Sequence, residues 1–202
     1  MDPATETYPG LGAETDEARE AREAANRDFN AVADLIENGD VDGVAAIFAR
    51  NDAAEMAATQ EMQYSPSYFA LAAGSGSVEM MELVYTSCRA GGGNLTYCDR
   101  NSGSSPLMIA IRVGHADLVR WCFSDGRLTP DSNLYGHYSG RGIEEAWRER
   151  PAIFQALVEC TSYTAIAREY AKCSEEERSA EFAAWLSERA PLAGVLPGGS
   201  GI

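Results

Sequence analysis

Positive charge is scarce in this sequence. Its 202 residues carry 16 Lys and Arg against 31 Asp and Glu, a formal net charge of −15, and Lys172 is the single lysine. Affinity for nucleic acid rests on Lys and Arg clusters that neutralise phosphates, so no nucleic-acid partner is expected. Anionic membrane surfaces are set aside for the same reason. Long hydrophobic runs are missing too: no stretch of about 18 apolar residues occurs, so no transmembrane helix is expected. The opening residues, Met1 to Thr7, show neither a basic start nor an apolar core, so no secretory leader is expected. A cytoplasmic or nuclear location follows. Five cysteines (Cys88, Cys98, Cys122, Cys160 and Cys173) form no C-x-x-C pair. An odd number without export argues against a disulfide framework or a zinc site, and the thiols should be reduced. The sequon Asn94-Leu95-Thr96 is discounted on the same ground. The ordinary meaning of the acidity is solubility; the functional one is steering toward a basic partner.

What the chain does have is an internal repeat. Segments 30–48 (NAVADLIENGDVDGVAAIF), 67–85 (SYFALAAGSGSVEMMELVY) and 105–123 (SPLMIAIRVGHADLVRWCF) superimpose without gaps. Gly39, Gly76 and Gly114 then align, at spacings of 37 and 38 residues. Each segment predicts an apolar helix, a stop at glycine and a second apolar helix. In the third segment Leu107, Ile109, Ala110 and Val113 predict the apolar stripe of the first helix. Leu118, Val119, Trp121, Cys122 and Phe123 predict that of the second. Phe69, Leu71, Ala72 and Ala73, then Met80, Met81, Leu83 and Val84, do the same in the segment before. No such pair can bury its apolar surface alone, so neighbours must stack.

The stretch Ser105-Pro106-Leu107-Met108-Ile109-Ala110-Ile111-Arg112-Val113-Gly114-His115-Ala116-Asp117-Leu118-Val119-Arg120 resembles an ankyrin repeat. It matches the family's Thr/Ser-Pro-Leu, Ala, Gly-His and Val/Leu positions. A fourth, degenerate unit runs from Gly142 to Val158, with Pro151 in the place of His115 and suited to a first helical turn. Proline there resembles repeats of fungal ankyrin proteins. Enlarged loops, such as Arg89-Ala90-Gly91-Gly92-Gly93 and an insertion over 128–140, lengthen the spacing beyond the family's usual ~33 residues. The resemblance implies an all-α, ankyrin-repeat solenoid of helix-turn-helix units with enlarged fingers. Residues 1–13 read as a disordered tail, 14–160 as the repeat domain with an N-terminal helical cap, 161–190 as a C-terminal helical cap and 191–202 as a flexible tail.

At the N-terminus Thr15-Asp16-Glu17 starts a polar leading helix, with Glu23 and Arg27 as an i,i+4 pair. Beyond the repeats, helices are expected over 162–170 and 174–189. The second opens with the capping box Ser174-Glu175-Glu176-Glu177 and presents Phe182, Trp185 and Leu186 on one face. That face either caps the solenoid or docks a partner.

Catalytic groups are few. His115 sits in the repeat's Gly-His slot, where helix initiation and bonding to the adjoining turn explain it, and His137 lies in the insertion. Glu144 and Glu145 are adjacent on a helix and point about 100° apart, so they read as a solvated face. Gly91-Gly92-Gly93 lacks the Lys-Ser/Thr of a phosphate loop. No enzyme activity, cofactor or metal is expected. The resemblance implies binding of another protein by an otherwise monomeric chain, through fingers near 60–65, 96–104 and 134–141 and the exposed first helices. Those positions hold Tyr64, Tyr97, Arg100, Tyr135, Tyr138 and Arg141, joined by Arg112 and Arg148. Tyrosine and arginine are frequent carriers of interface energy, although tyrosines also pack between fingers. An adaptor is one expectation; a regulatory or inhibitory subunit of an enzyme or transcription factor is the other.

Overall fold

The computed structural model describes residues 15–62, 66–88, 95, 103–129, 139–173 and 178–190. They are mostly helical, with no strand among them. The tails 1–13 and 191–202, the glycine loop 89–93 and the capping box 174–177 lie outside the described residues.

The first helix, α1 (Asp16–Glu37), joins the leading polar segment and the first repeat helix into one rod. No Gly or Pro interrupts this run, and its alanines favour helix. Glu23 meets Arg19 at 4.0 Å rather than Arg27. After a turn at Gly39 comes α2 (Val41–Arg50), whose Asp40 side chain accepts the Gly43 N–H. A helix that the repeat pattern did not predict follows, α3 (Ala53–Met62). Asp52 accepts the Ala54 and Glu55 amides to start it, and buried Ala53 and Ala57 face the core. It takes up the beginning of the expected finger at 60–65.

The next units obey one local grammar. In α4 (Tyr68–Ser75) and α6 (Pro106–Val113), Ser67 and Ser105 cap the helix by accepting the amide three residues on, at 3.1 and 3.3 Å. Gly76 and Gly114 end these helices at φ +78° and +102°, where a side chain would strain the backbone, and Gly39 takes φ +73°. The second helices are α5 (Val78–Cys88) and α7 (Ala116–Phe123), the latter closed by a 3-10 turn over Ser124–Gly126. The fourth pair is α8 (Ser139–Glu149) and α9 (Pro151–Cys160), with Pro151 in the first turn.

These pairs pack in two rows. Helices α1, α4, α6 and α8 contact one another in that order, while α2, α5, α7 and α9 run alongside. Then α10 (Tyr163–Tyr170) continues the first row against α8, started by Ser162 in the same way as α4 and α6. The last helix, α11 (Ala180–Arg189), packs on α10. It begins at Ala180, not at Ser174. Ser179 accepts the Phe182 amide while its own N–H donates to the Tyr170 hydroxyl at 2.7 Å, which fixes the start there. Fully buried Phe182 and Leu186 insert into an aromatic cluster with Trp147, Phe154 and Tyr170. No helix among the described residues is long and apolar enough to cross a membrane.

The apolar stripe of α6 is phased differently from its prediction. Leu107 and Ala110 are buried as expected, but Met108 and Ile111 complete the buried face, Ile109 is half-buried, and Val113 is 53% exposed. The helix is clasped on two sides, by α4 and by α8, so its buried arc is wider and rotated relative to a one-sided stripe. Likewise Tyr68 and Ala70 join Phe69, Ala72 and Ala73 inside α4, leaving Leu71 half-buried.

Candidate functional site

The aligned positions just before each turn lie away from the core. They are Glu37 at the end of α1 with Asn38 just past it, Gly74 and Ser75 on α4, Arg112 and Val113 on α6, and Arg148 and Glu149 on α8. All but the half-buried Ser75 are exposed. Apart from Asn38, these residues occupy the last helical turn, whose carbonyls have no partner within the helix. The next unit supplies one. His115 Nε2 lies 3.3 Å from the Gly74 carbonyl oxygen. The Arg150 guanidinium donates to the carbonyl oxygens of Ile111, at 3.2 Å, and of Arg112. Gly74 and Arg112 are equivalent positions, so a histidine and an arginine perform the same clasp between successive units. Positive charge at a helix C-terminus is favoured there by the backbone dipoles. His115 starts α7 without a side-chain cap bond; its ring reaches the neighbouring unit instead of its own turn. The ring also crowds Gly76, where a Cβ would stand 2.4 Å from its Cε1 atom.

Of the residues expected to bind a partner, Tyr64, Tyr97, Arg100, Tyr135 and Tyr138 lie outside the described residues, as does His137. Arg141 falls within α8, but its side chain is outside the description. Arg112 and Arg148 are described, and their surroundings differ. Arg148 is committed to its own chain, pairing with Glu144 at 3.0 Å and Glu181 at 3.2 Å and reaching Ser179 Oγ, which ties α8 to α11. Arg112 donates only to Ser104 Oγ, at 3.3 Å, and no carboxylate among the described residues reaches it.

Glu144 departs from the solvated face expected for it. It is buried, accepting the Tyr170 O–H at 3.0 Å besides its ion pair with Arg148. Glu145 points elsewhere, to Arg150 at 2.9 Å, as the angle between adjacent helical positions requires. Burial pushes the Tyr170 phenol up to about 12; the Ser179 amide opposes that shift and Glu144 reinforces it.

A second cluster escaped the sequence altogether. Trp121 on α7 donates its indole N–H to Glu82 on α5 at 2.6 Å, and Arg127 meets the same carboxylate at 2.7 Å. The Arg127 guanidinium lies over the Trp121 ring at 4.5 Å and near Tyr85 at 5.6 Å, and those two rings meet edge to face. One carboxylate oxygen of Glu82 thus serves both Trp121 and Arg127, which makes a lock between the second helices. Its only sequence signal was an acid one unit before a Trp and one position out of alignment with it, Glu82 aligning with Arg120 beside Trp121.

Chemistry is subdued elsewhere. Burial pushes the Cys88 and Cys122 thiols up to about 12, which removes them as nucleophiles at neutral pH. Among the described residues no group of three or more His, Cys, Asp or Glu converges as a metal site would require. Asp28 is held below the usual carboxylate range by hydrogen bonds from Asn51, at 3.0 Å, and Arg50, at 3.2 Å, which join α1 to the end of α2. The chain matches no protein-family model, and no curated protein or solved structure matches it.

Proposed function

We propose that this chain is an ankyrin-repeat solenoid acting as a non-enzymatic protein–protein interaction module. It binds another protein through the concave face of its first-helix row and the adjoining fingers, in the cytoplasm or nucleus. One observation carries the reading: helix pairs recur with serine caps at Ser67 and Ser105 and left-handed glycines at Gly39, Gly76 and Gly114, all at aligned positions. Stacked units of this kind bury a continuous core and leave one edge of every unit outside it, which gives an extended binding surface. The function is an inference from architecture, and the same architecture carries many partners.

Affinity capture with the full chain, followed by mass spectrometry, tests it. Stoichiometric recovery of one enzyme or transcription factor assigns a regulatory or inhibitory role; several unrelated proteins assign an adaptor. Replacing Tyr135 and Tyr138 with Ala is expected to weaken capture while leaving the melting temperature unchanged. Unaltered capture removes the fingers from the site, and capture of nothing above background refutes the module.

A further inference from the structure

We propose that the exposed ends of α4 and α6 form a docking site for a protein segment that presents a large apolar side chain within about three residues of a carboxylate. This narrows the partner of the interaction module proposed above and rests on that reading.

Three neighbouring residues carry it. Gly74 is exposed on α4 in ordinary helical backbone, and a Cβ placed there would meet nothing within 4 Å. Alanine would favour the helix more. The one bond recorded for Gly74 outside its helix, its carbonyl to His115, is one that any residue supplies. Nothing inside the fold therefore requires glycine, and what it provides is bare backbone that another chain can approach. Val113 sits at the neighbouring end of α6 and is the only large hydrophobic exposed among the described residues. A β-branched residue on an exposed helical turn serves neither helix propensity nor the core.

Arg112 precedes it, exposed and without a carboxylate among the described residues. In a chain with nearly twice as many acids as bases few described arginines are left so; Arg27 on α1 is another. Arg148, Arg120, Arg127 and Arg150 each hold at least one carboxylate. Those pairs are neutralised internally; Arg112 keeps most of its donors open, in a fork suited to a carboxylate. Packed helices lie 8–10 Å apart. That gap corresponds to about three residues of extended chain at roughly 3.3 Å each. An apolar side chain seated over Gly74 and against Val113 thus leaves a nearby carboxylate within reach of Arg112. A nucleic-acid phosphate would face the acids of the surrounding surface, which disfavours it.

The test pans a random nonapeptide phage library against the full chain, Gly74→Trp and Arg112→Glu, each checked for the wild-type helical spectrum and melting temperature. Should Gly74→Trp melt lower, Gly74→Leu takes its place. Enriched peptides are expected to carry Asp or Glu within three residues of Leu, Ile, Phe or Met. The best of them, made synthetically, should lose at least about tenfold in affinity against either variant, the scale of one hot-spot residue. A peptide with its acid changed to arginine should recover binding to Arg112→Glu. Peptides that bind both variants as well as the wild type overturn this site and leave the binding module standing on another surface. A library that yields no enrichment also overturns it, and the module is then judged on affinity capture alone.

Discussion

Two glycines only two residues apart should respond in opposite directions to the same substitution. Gly74→Ala adds a methyl group in open space on a helical backbone. Glycine in a helix interior is less favourable than alanine by roughly 0.5–1 kcal/mol, and in the last turn of α4 the variant should gain up to about that much. Gly76→Ala places a Cβ at φ +78° and 2.4 Å from the His115 ring. The left-handed backbone costs an L-residue roughly 1–2 kcal/mol. To escape the clash the ring must swing away, breaking its bond to the Gly74 carbonyl, a further ~1 kcal/mol. The loss should be about 2–3 kcal/mol. For a chain of this size 1 kcal/mol moves the melting temperature by roughly 2–4 °C. Gly74→Ala should therefore melt up to about 4 °C higher and Gly76→Ala roughly 4–12 °C lower, followed by circular dichroism at 222 nm. A double-mutant cycle isolates the clash: His115→Ala should cost less in the Gly76→Ala background than in the wild type. Equal shifts for the two glycines, or no coupling to His115, would refute the unit-to-unit clasp.

Phe182→Ala empties the aromatic cluster under α11 and should destabilise by about 3–5 kcal/mol, read from urea midpoints. Tyr170→Phe leaves the Ser179 amide and buried Glu144 each short of one hydrogen bond. A loss of roughly 1–3 kcal/mol is expected, with faster hydrogen exchange concentrated in α11. Glu82→Ala strips the shared acceptor from Trp121 and Arg127 and should cost about 1–3 kcal/mol with a shift in tryptophan emission. Cys88 and Cys122 stay protonated in the folded chain up to about pH 12, whereas unfolded thiols ionise from about pH 8.5. The unfolded state then binds fewer protons, so the contribution of these thiols is constant below that pH and is lost as pH rises above it. Each thiol contributes up to about 1.4 kcal/mol per pH unit. Urea titrations from pH 7 to 10 check the slope, and replacing both cysteines with alanine should reduce it to the part left by Cys160, whose thiol burial also pushes up.

The sequence by itself determined the local grammar of this protein. Gly39, Gly76 and Gly114 at regular intervals, serines before α4, α6 and α10, and Pro151 opening α9 are short-range signals. Caps and left-handed turns depend on atoms within four residues, so the chain states them openly. The aromatic face of the last helix was visible for the same reason, through its helical spacing. Only tertiary structure decided the rest. Which arc of α6 is buried depends on its having two flanking helices, and this turned Val113 outward and Ile111 inward. Glu144 was drawn inside by a tyrosine 26 residues away. Arg112 and Arg148 look alike in the repeat, yet one is neutralised by α11 and the other is left open. Such differences come from contacts between units, where burial and charge pairing are settled by residues far apart in sequence, and no local pattern encodes them.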